Sequence, residues 1–190
     1  MRHLVALLLC ATALPAFATD SSDPIVKAQT YATTTVRDWM SDSVIVDAVL
    51  EQNARNAALT QTDIDTLDKS WRSELGAAAQ PTVDSVVKSI PSDRLRARVD
   101  EAAGTITEMF VMDALGLNVA SSGVTSDFWQ GDEAKFTETY PKGADAVHVS
   151  DVELDESTQV YQIQVSFPLV NPADGVVIGA VTVALNAEQF

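Results

Sequence analysis

The residue chemistry of this chain changes at Gly104, and that boundary constrains its fold more than any other feature. Before it, Ile25 to about Leu59 contains no glycine or proline. Apolar residues recur there at helical spacing: Val36, Trp39 and Met40, then Val46, Val49 and Leu50. This predicts a long amphipathic helix with a break near Ser41-Asp42-Ser43. Thr62-Asp63 opens a second helix to Leu75, stopped by Gly76. A third runs from Pro81 or Thr82 to about Ile90, Pro91-Ser92-Asp93 interrupts, and a fourth covers Arg94 to Ala102. After Gly104, β-branched and large apolar residues take over. Thr105 to Met112 and Leu117 to Ser121 read as a hairpin across an Asp113-Ala114-Leu115-Gly116 turn. Ala146 to Leu154, Gln159 to Leu169 and Val176 to Leu185 read as three further strands. In the fourth strand Tyr161, Ile163, Val165, Phe167 and Leu169 alternate with Gln162, Gln164 and Ser166, the pattern of an antiparallel strand with one buried face. The last strand is apolar on both faces and is expected to be central. Helices segregated from an antiparallel sheet make an α+β domain. Its mainly helical part, a long N-terminal helix and a helical connector, is expected at 19–104. A five-stranded antiparallel sheet follows at 105–190, carrying one long excursion at 122–145.

The chain opens with the pattern of a processing signal. Arg2 and His3 precede the apolar run Leu4 to Ala11, Pro15 breaks it, and Ala16-Phe17-Ala18 places small residues where a signal peptidase reads. The run is too short for a bilayer, which takes about 20 apolar residues. Residues 1–18 are expected to be a cleaved secretory signal peptide, and 19–190 one domain in the periplasm. Cleavage removes the only cysteine, Cys10, so stability must come from a packed core. The formal net charge of −15 repels nucleic acid and anionic membranes, which are set aside as partners.

Catalysis finds little support in the residues, and the chain is read as a non-enzyme without a cofactor. With His3 in the signal, His148 is the one mature histidine, inside the strand-like Val147-His148-Val149. A general base needs a positioned partner, and none is evident beside it. No nucleophile elbow, phosphate loop or Cys/His metal spacing occurs. The acidic run Asp151, Glu153, Asp155, Glu156 lacks the glycine of a calcium loop and reads as a solvated hairpin tip. Arg94, Arg96 and Arg98, flanked by Asp93 and Asp100, read as intramolecular ion pairs. The excursion is the best site candidate, because a long loop in a compact domain is usually functional. It holds Asp127, Phe128, Trp129, Lys135, Phe136 and Tyr140. Lys135 either meets a ligand or neutralises Asp132 or Glu138, and Phe128 and Trp129 either wall a pocket or plug the loop onto the core.

Three stretches carry a family resemblance: Glu108 to Ser122, Thr125 to Lys135 (Thr-Ser-Asp-Phe-Trp-Gln-Gly-Asp-Glu-Ala-Lys) and Gly175 to Asn186. Together with the order of elements, they resemble Cache-type, PAS-like extracytoplasmic sensor domains, and the second stretch resembles stand-alone periplasmic members. The resemblance implies a ligand lying over the sheet beneath the excursion. Trp129 and Tyr140 would wall that pocket, Lys135 or Asp127 would hold a charged end, and Gln162, Gln164 and Ser166 would form the floor; His148 and Phe128 complete the set of candidate contacts. It also implies pairing through the long N-terminal helix as a homodimer. In receptor members the last strand runs into a transmembrane helix, whereas this sequence stops at Phe190. The expectation is therefore a sensor of a small polar metabolite, a carboxylate or amino acid, acting through a separate membrane-bound receptor or sensor kinase. The rival is a ligand-free periplasmic interaction module that dimerises or docks through the same helix. A buried cavity under Trp129 with converging polar groups supports the first, and a filled core there counts decisively against it.

Overall fold

The computed structural model describes residues 22–155 and 159–190; the expected signal peptide, Cys10 and the turn residues Glu156 and Ser157 lie outside them. Asp23 accepts a hydrogen bond from the Ile25 amide and so caps α1 (Pro24–Tyr31), with Pro24 in the first turn, where a missing N–H costs nothing. A π-helical run, Ala32–Val36, then leads to α2 (Arg37–Trp39). The Thr33 and Thr34 hydroxyls donate back to the carbonyls of Gln29 and Thr30, so the threonine tract is wound wide instead of ending the helix. The expected break falls at Met40–Asp42, and Asp42 caps α3 (Ser43–Asn56).

The connector holds α4 (Gln61–Glu74), α5 (Pro81–Val87) and α6 (Ile90–Glu101). The cap of α4 is Thr60, not Thr62, because the Thr60 hydroxyl and the Asp63 carboxylate satisfy each other's backbone amides. Pro91 does not interrupt a helix. It sits in the first turn of α6, behind the cap Ser89.

The sheet is antiparallel throughout. Its strands are β1 (Ile106–Met112), β2 (Asn118–Ser121), β3 (His148–Val149), β4 (Glu153–Asp155), β5 (Val160–Val170) and β6 (Val177–Asn186). The order is β2-β1-β6-β5-β3, with β4 pairing further along β5. Six strands replace the expected five because the stretch Ala146 to Leu154 forms two short pieces on one edge of β5. The strand expected to be central, β6, lies between β1 and β5.

One sheet face is covered by α1, the π run, α3 and α6. Ala28, Ala32, Val36, Met40, Val46, Val49 and Leu95 pack there on Met109, Val111, Ile163, Val165, Phe167, Val181, Val183 and Leu185. Each large side chain buried this way contributes about 1.5–3 kcal/mol over leaving it exposed. Most of the apolar stripe of the N-terminal helix is therefore closed by the chain's own sheet, with Trp39 half-buried and Leu50 left exposed. On the opposite face, the short α7 (Ala134–Thr137) and a 3-10 turn, Tyr140–Lys142, set Phe136 and Tyr140 over Phe110, Met112 and Ala180. A third cluster joins Ile64, Trp71, Val83 and Val86 to Leu117 and Phe128. Among the described residues, no helix is long and apolar enough to cross a membrane.

Candidate ligand-binding site

The excursion divides into two parts with opposite characters. Its first part, 125–131, is bolted down. The Asp68 carboxylate of α4 accepts from the amides of Phe128 (2.9 Å) and Trp129 (3.1 Å), while Arg72 bridges Asp68 and Asp127, 2.8 Å from each. Phe128 stacks on Trp71 with centroids 5.3 Å apart, and the Trp71 indole N–H donates to the Thr125 carbonyl. Trp129 turns its own N–H to the Leu115 carbonyl at 2.8 Å. Gly116, at φ +82°, closes the β1–β2 turn with no room for a side chain: a Cβ there would come within 2.5 Å of Gly131. The same corner contains a fully buried carboxylate, Asp113. It accepts from the Gln52 and Asn56 side chains (3.0 and 2.8 Å) and from the amides of Leu115 and Leu117.

The second part leaves one end of the sheet face uncovered. A cleft of about 610 Å³ opens there, within the range of small-molecule sites. Its floor is Thr107, Glu108 and Phe110 of β1 with Gln162 and Gln164 of β5. Its rim is Ser122 to Ser126, Gln130 and Lys135 of the excursion, Asp155 of β4, and Arg96, Val99 and Asp100 of α6. Lys135 Nζ lies 3.0 Å from the Glu133 carboxylate, donates to Gln130 Oε1 at 3.3 Å, and rests 5.5 Å from the Phe110 ring centroid. Arg96 is ion-paired with Asp93 and donates to the Val87 carbonyl at 2.7 Å. Both cations of the cleft therefore hold carboxylates outside its lining. The Glu108 side chain makes no hydrogen bond or ion pair with any described residue. Burial pushes its carboxyl above the usual carboxylate range; Lys135 nearby opposes this shift and Asp155 adds to it.

The predicted site residues separate accordingly. Lys135, Gln162 and Gln164 meet in the cleft. Gln162 Oε1 accepts from the Thr107 hydroxyl at 2.9 Å, while the Gln164 side chain is free of partners among the described residues. Asp127 and Trp129 border a different, more open groove against α4, occupied by the Asp68–Arg72–Asp127 ion pairs. Phe128 is buried in the core. The space beneath Trp129 is filled by Leu115, Leu117 and the Trp71–Phe128 stack, so the cavity expected there lies instead over β1 and β5. Tyr140 stacks on Phe136 at 5.1 Å, and His148 stands opposite Ser166 in the β3–β5 pairing, both outside the cleft lining. Ser166 is buried and bonded to Thr182. Lys135 finds Glu133 instead of Asp132 or Glu138. Of the arginines, Arg96 pairs with Asp93 and Arg98 with Glu101, while Arg94 reaches to 3.9 Å from Asp42. Sequence reasoning passed over Glu108, Asp155, Arg96 and Asp100 as contacts. The usable signal was Glu108 itself, one charge inside the otherwise uncharged run Ile106–Met112.

No protein-family model matches the chain, and no curated protein matches it. Solved structures align with it at low similarity. The ligand-binding domain of the Campylobacter jejuni chemoreceptor Tlp3 in complex with L-valine is 13% identical at a TM-score of 0.42, over 86% of this chain and 64% of that one. The sensor domain of the V. cholerae histidine kinase DctB is 16% identical at a TM-score of 0.40, over 87% and 55%. The ligand-binding domain of the Pseudomonas aeruginosa PAO1 amino acid chemoreceptor PctC, in complex with GABA, is 13% identical at 0.42, over 86% and 59%. The chain thus spans less than two thirds of the length of each of these structures. They are sensor or ligand-binding domains of chemoreceptors and of a histidine kinase, and they are what this chain is similar to.

Proposed function

We propose that the protein is an extracytoplasmic small-molecule sensor that binds a small polar metabolite reversibly and acts through a separate membrane-bound partner. One observation carries the reading. The excursion covers only part of its sheet face and leaves a cleft whose floor holds a carboxylate and an amide side chain, Glu108 and Gln164, without partners among the described residues. Polar groups without a partner in the chain that face a concavity are available to a ligand. A bound molecule would bridge Gln162 and Gln164 of β5, Glu108 of β1 and the Ser122–Ser126 rim of the excursion, so its affinity for an arrangement that brings these elements together would shift the population toward it. The ligand-free docking role through the N-terminal helix has less to support it, because most of the apolar stripe packs on the sheet and Leu50 alone of it is exposed.

A thermal-shift screen tests the proposal. A ligand at about 100 times its dissociation constant adds about 2.7 kcal/mol, which for a chain of this length raises the melting temperature by about 5–10 °C. Such a shift with a carboxylate, amino acid, amine or purine, lost on substitution of Glu108 or Gln164, is the expected result. Silence across all four classes would remove the sensing role.

A further inference from the structure

We infer that the cleft takes a molecule bearing a primary ammonium group, with Glu108 as its principal anchor; this rests on the binding-site reading above and names the ligand class of that same site. The balance of charge leads to this class. Among the described residues, three carboxylates line the cleft, Glu108, Asp100 and Asp155, against two cations, Arg96 and Lys135. Both cations are engaged from behind, Arg96 by Asp93 and Lys135 by Glu133, so the charge they present to the interior is already largely met. Glu108 is the reverse case: it sits on the floor with both oxygens unclaimed, and no ion pair joins it to Lys135. An incoming carboxylate would face Glu108, Asp100 and Asp155 and compete with Glu133 for Lys135. An incoming cation would meet the open acceptor directly, and a hydrogen bond to an ionised partner is the stronger kind.

The walls narrow the class further. An ammonium with three N–H donors needs several acceptors converging on one point. Glu108 supplies two oxygens and Gln164 an amide oxygen, with the Ser122 and Ser126 side chains on the rim. A quaternary ammonium has no donors and binds by resting on aromatic faces. Phe110 is the one aromatic ring in the lining, and Lys135 Nζ already lies over it at 5.5 Å. The cleft is therefore built to accept hydrogen bonds from a cation and offers no aromatic cage.

Calorimetric titration of the chain with n-butylamine, 1,4-diaminobutane, tetramethylammonium and butyrate tests the inference, repeated with Glu108→Gln and Lys135→Met. The expected result is binding of the two primary amines alone. Glu108→Gln should weaken it about tenfold or more, the range for a hydrogen bond to a charged group, and Lys135→Met should leave it unchanged or tighten it. Lys135→Met carries the opposite sign, so the outcome stays readable even if Glu108→Gln disturbs the fold. Binding of butyrate, abolished by Lys135→Met, would overturn the ammonium assignment and leave the sensing role standing. Binding of tetramethylammonium as tight as that of butylamine would overturn the hydrogen-bonding part. Failure of every probe would overturn the ammonium assignment, and the wider metabolite screen then decides the sensing role separately.

Discussion

Two ends of one strand hold carboxylates under opposite conditions. Asp113, just past the end of β1, is fully buried and accepts from two side chains of α3 and two amides of its own turn. Glu108, five residues earlier, is half-buried, and its carboxylate accepts from nothing in the described chain. The excursion repeats the contrast, bolted to α4 by Asp68, Arg72 and Trp71 over 125–131 and open around Lys135. Residue type therefore does not separate structure from recognition here, since both regions have acids, bases and aromatic rings. The separation lies in whether each polar group is already satisfied.

The contrast can be broken at the bolted end first. Trp71 is completely buried and carries both the stack with Phe128 and the bond to Thr125. Trp71→Ala should cost about 3–5 kcal/mol in chemical denaturation, the range for emptying such a site. Asp68→Ala strands the amides of Phe128 and Trp129 and unpairs Arg72. The expected loss is about 1–3 kcal/mol, with faster amide exchange confined to the neighbourhood of 127–130. A uniform rise in exchange across the sheet would show that the two parts of the excursion are not separate.

At the open end the sign reverses. The Glu108 carboxyl titrates above its ordinary range in the folded chain because it is buried, so the folded state holds this proton to higher pH than the unfolded chain does. The stability it contributes is full below the ordinary carboxylate range and is lost as pH rises through the raised value. Lys135 of α7, Asp155 of β4, and Arg96 and Asp100 of α6 surround it, so the comparison is made between variant and parent in the same buffer. Glu108→Gln cannot ionise and should melt a few degrees higher than the parent at neutral pH, with the gap closing toward about pH 4. A variant that melts lower at neutral pH would show Glu108 to be structural. Gln164→Ala should change stability by no more than about 0.5 kcal/mol, and any larger loss would place Gln164 on the bolted side.

Periodicity made most of the architecture legible, and part of the site. The two-residue repeat of β5 separated Gln162 and Gln164 from Ile163 and Val165, and the structure puts the first pair in the cleft and the second in the core. Glu108 was harder to place. The register of β1 against β6 shifts between Ile106 and Glu108, so simple alternation does not say which face Glu108 takes. Asp127, Phe128 and Trp129 look like pocket residues because aromatic side chains in a long loop usually are. Their partners Asp68, Trp71 and Arg72 stand more than 50 residues earlier on a different helix. No local pattern contains that pairing. The strand predicted across Ala146 to Leu154 split because β3 and β4 meet β5 at separate places, with Ser150 between them bonded to Gln164 through its amide and its hydroxyl.

The π-helical run Ala32–Val36 bears on how this helix tolerates a change of length. Each π bond encloses one residue more than an α bond. A regular α-helix overshoots a full circle every four residues, so a row at that spacing drifts around the cylinder. Ala28, Ala32, Val36 and Met40 form such a row, and all four are buried on the same sheet. The wide turn cancels the drift by holding a surplus residue in the half-exposed threonine tract. Loss of one residue among Thr33, Thr34 and Thr35 would tighten the run to ordinary winding while the Asp23 and Asp42 caps stay in place. A one-residue deletion in this tract is absorbed there before it reaches the core.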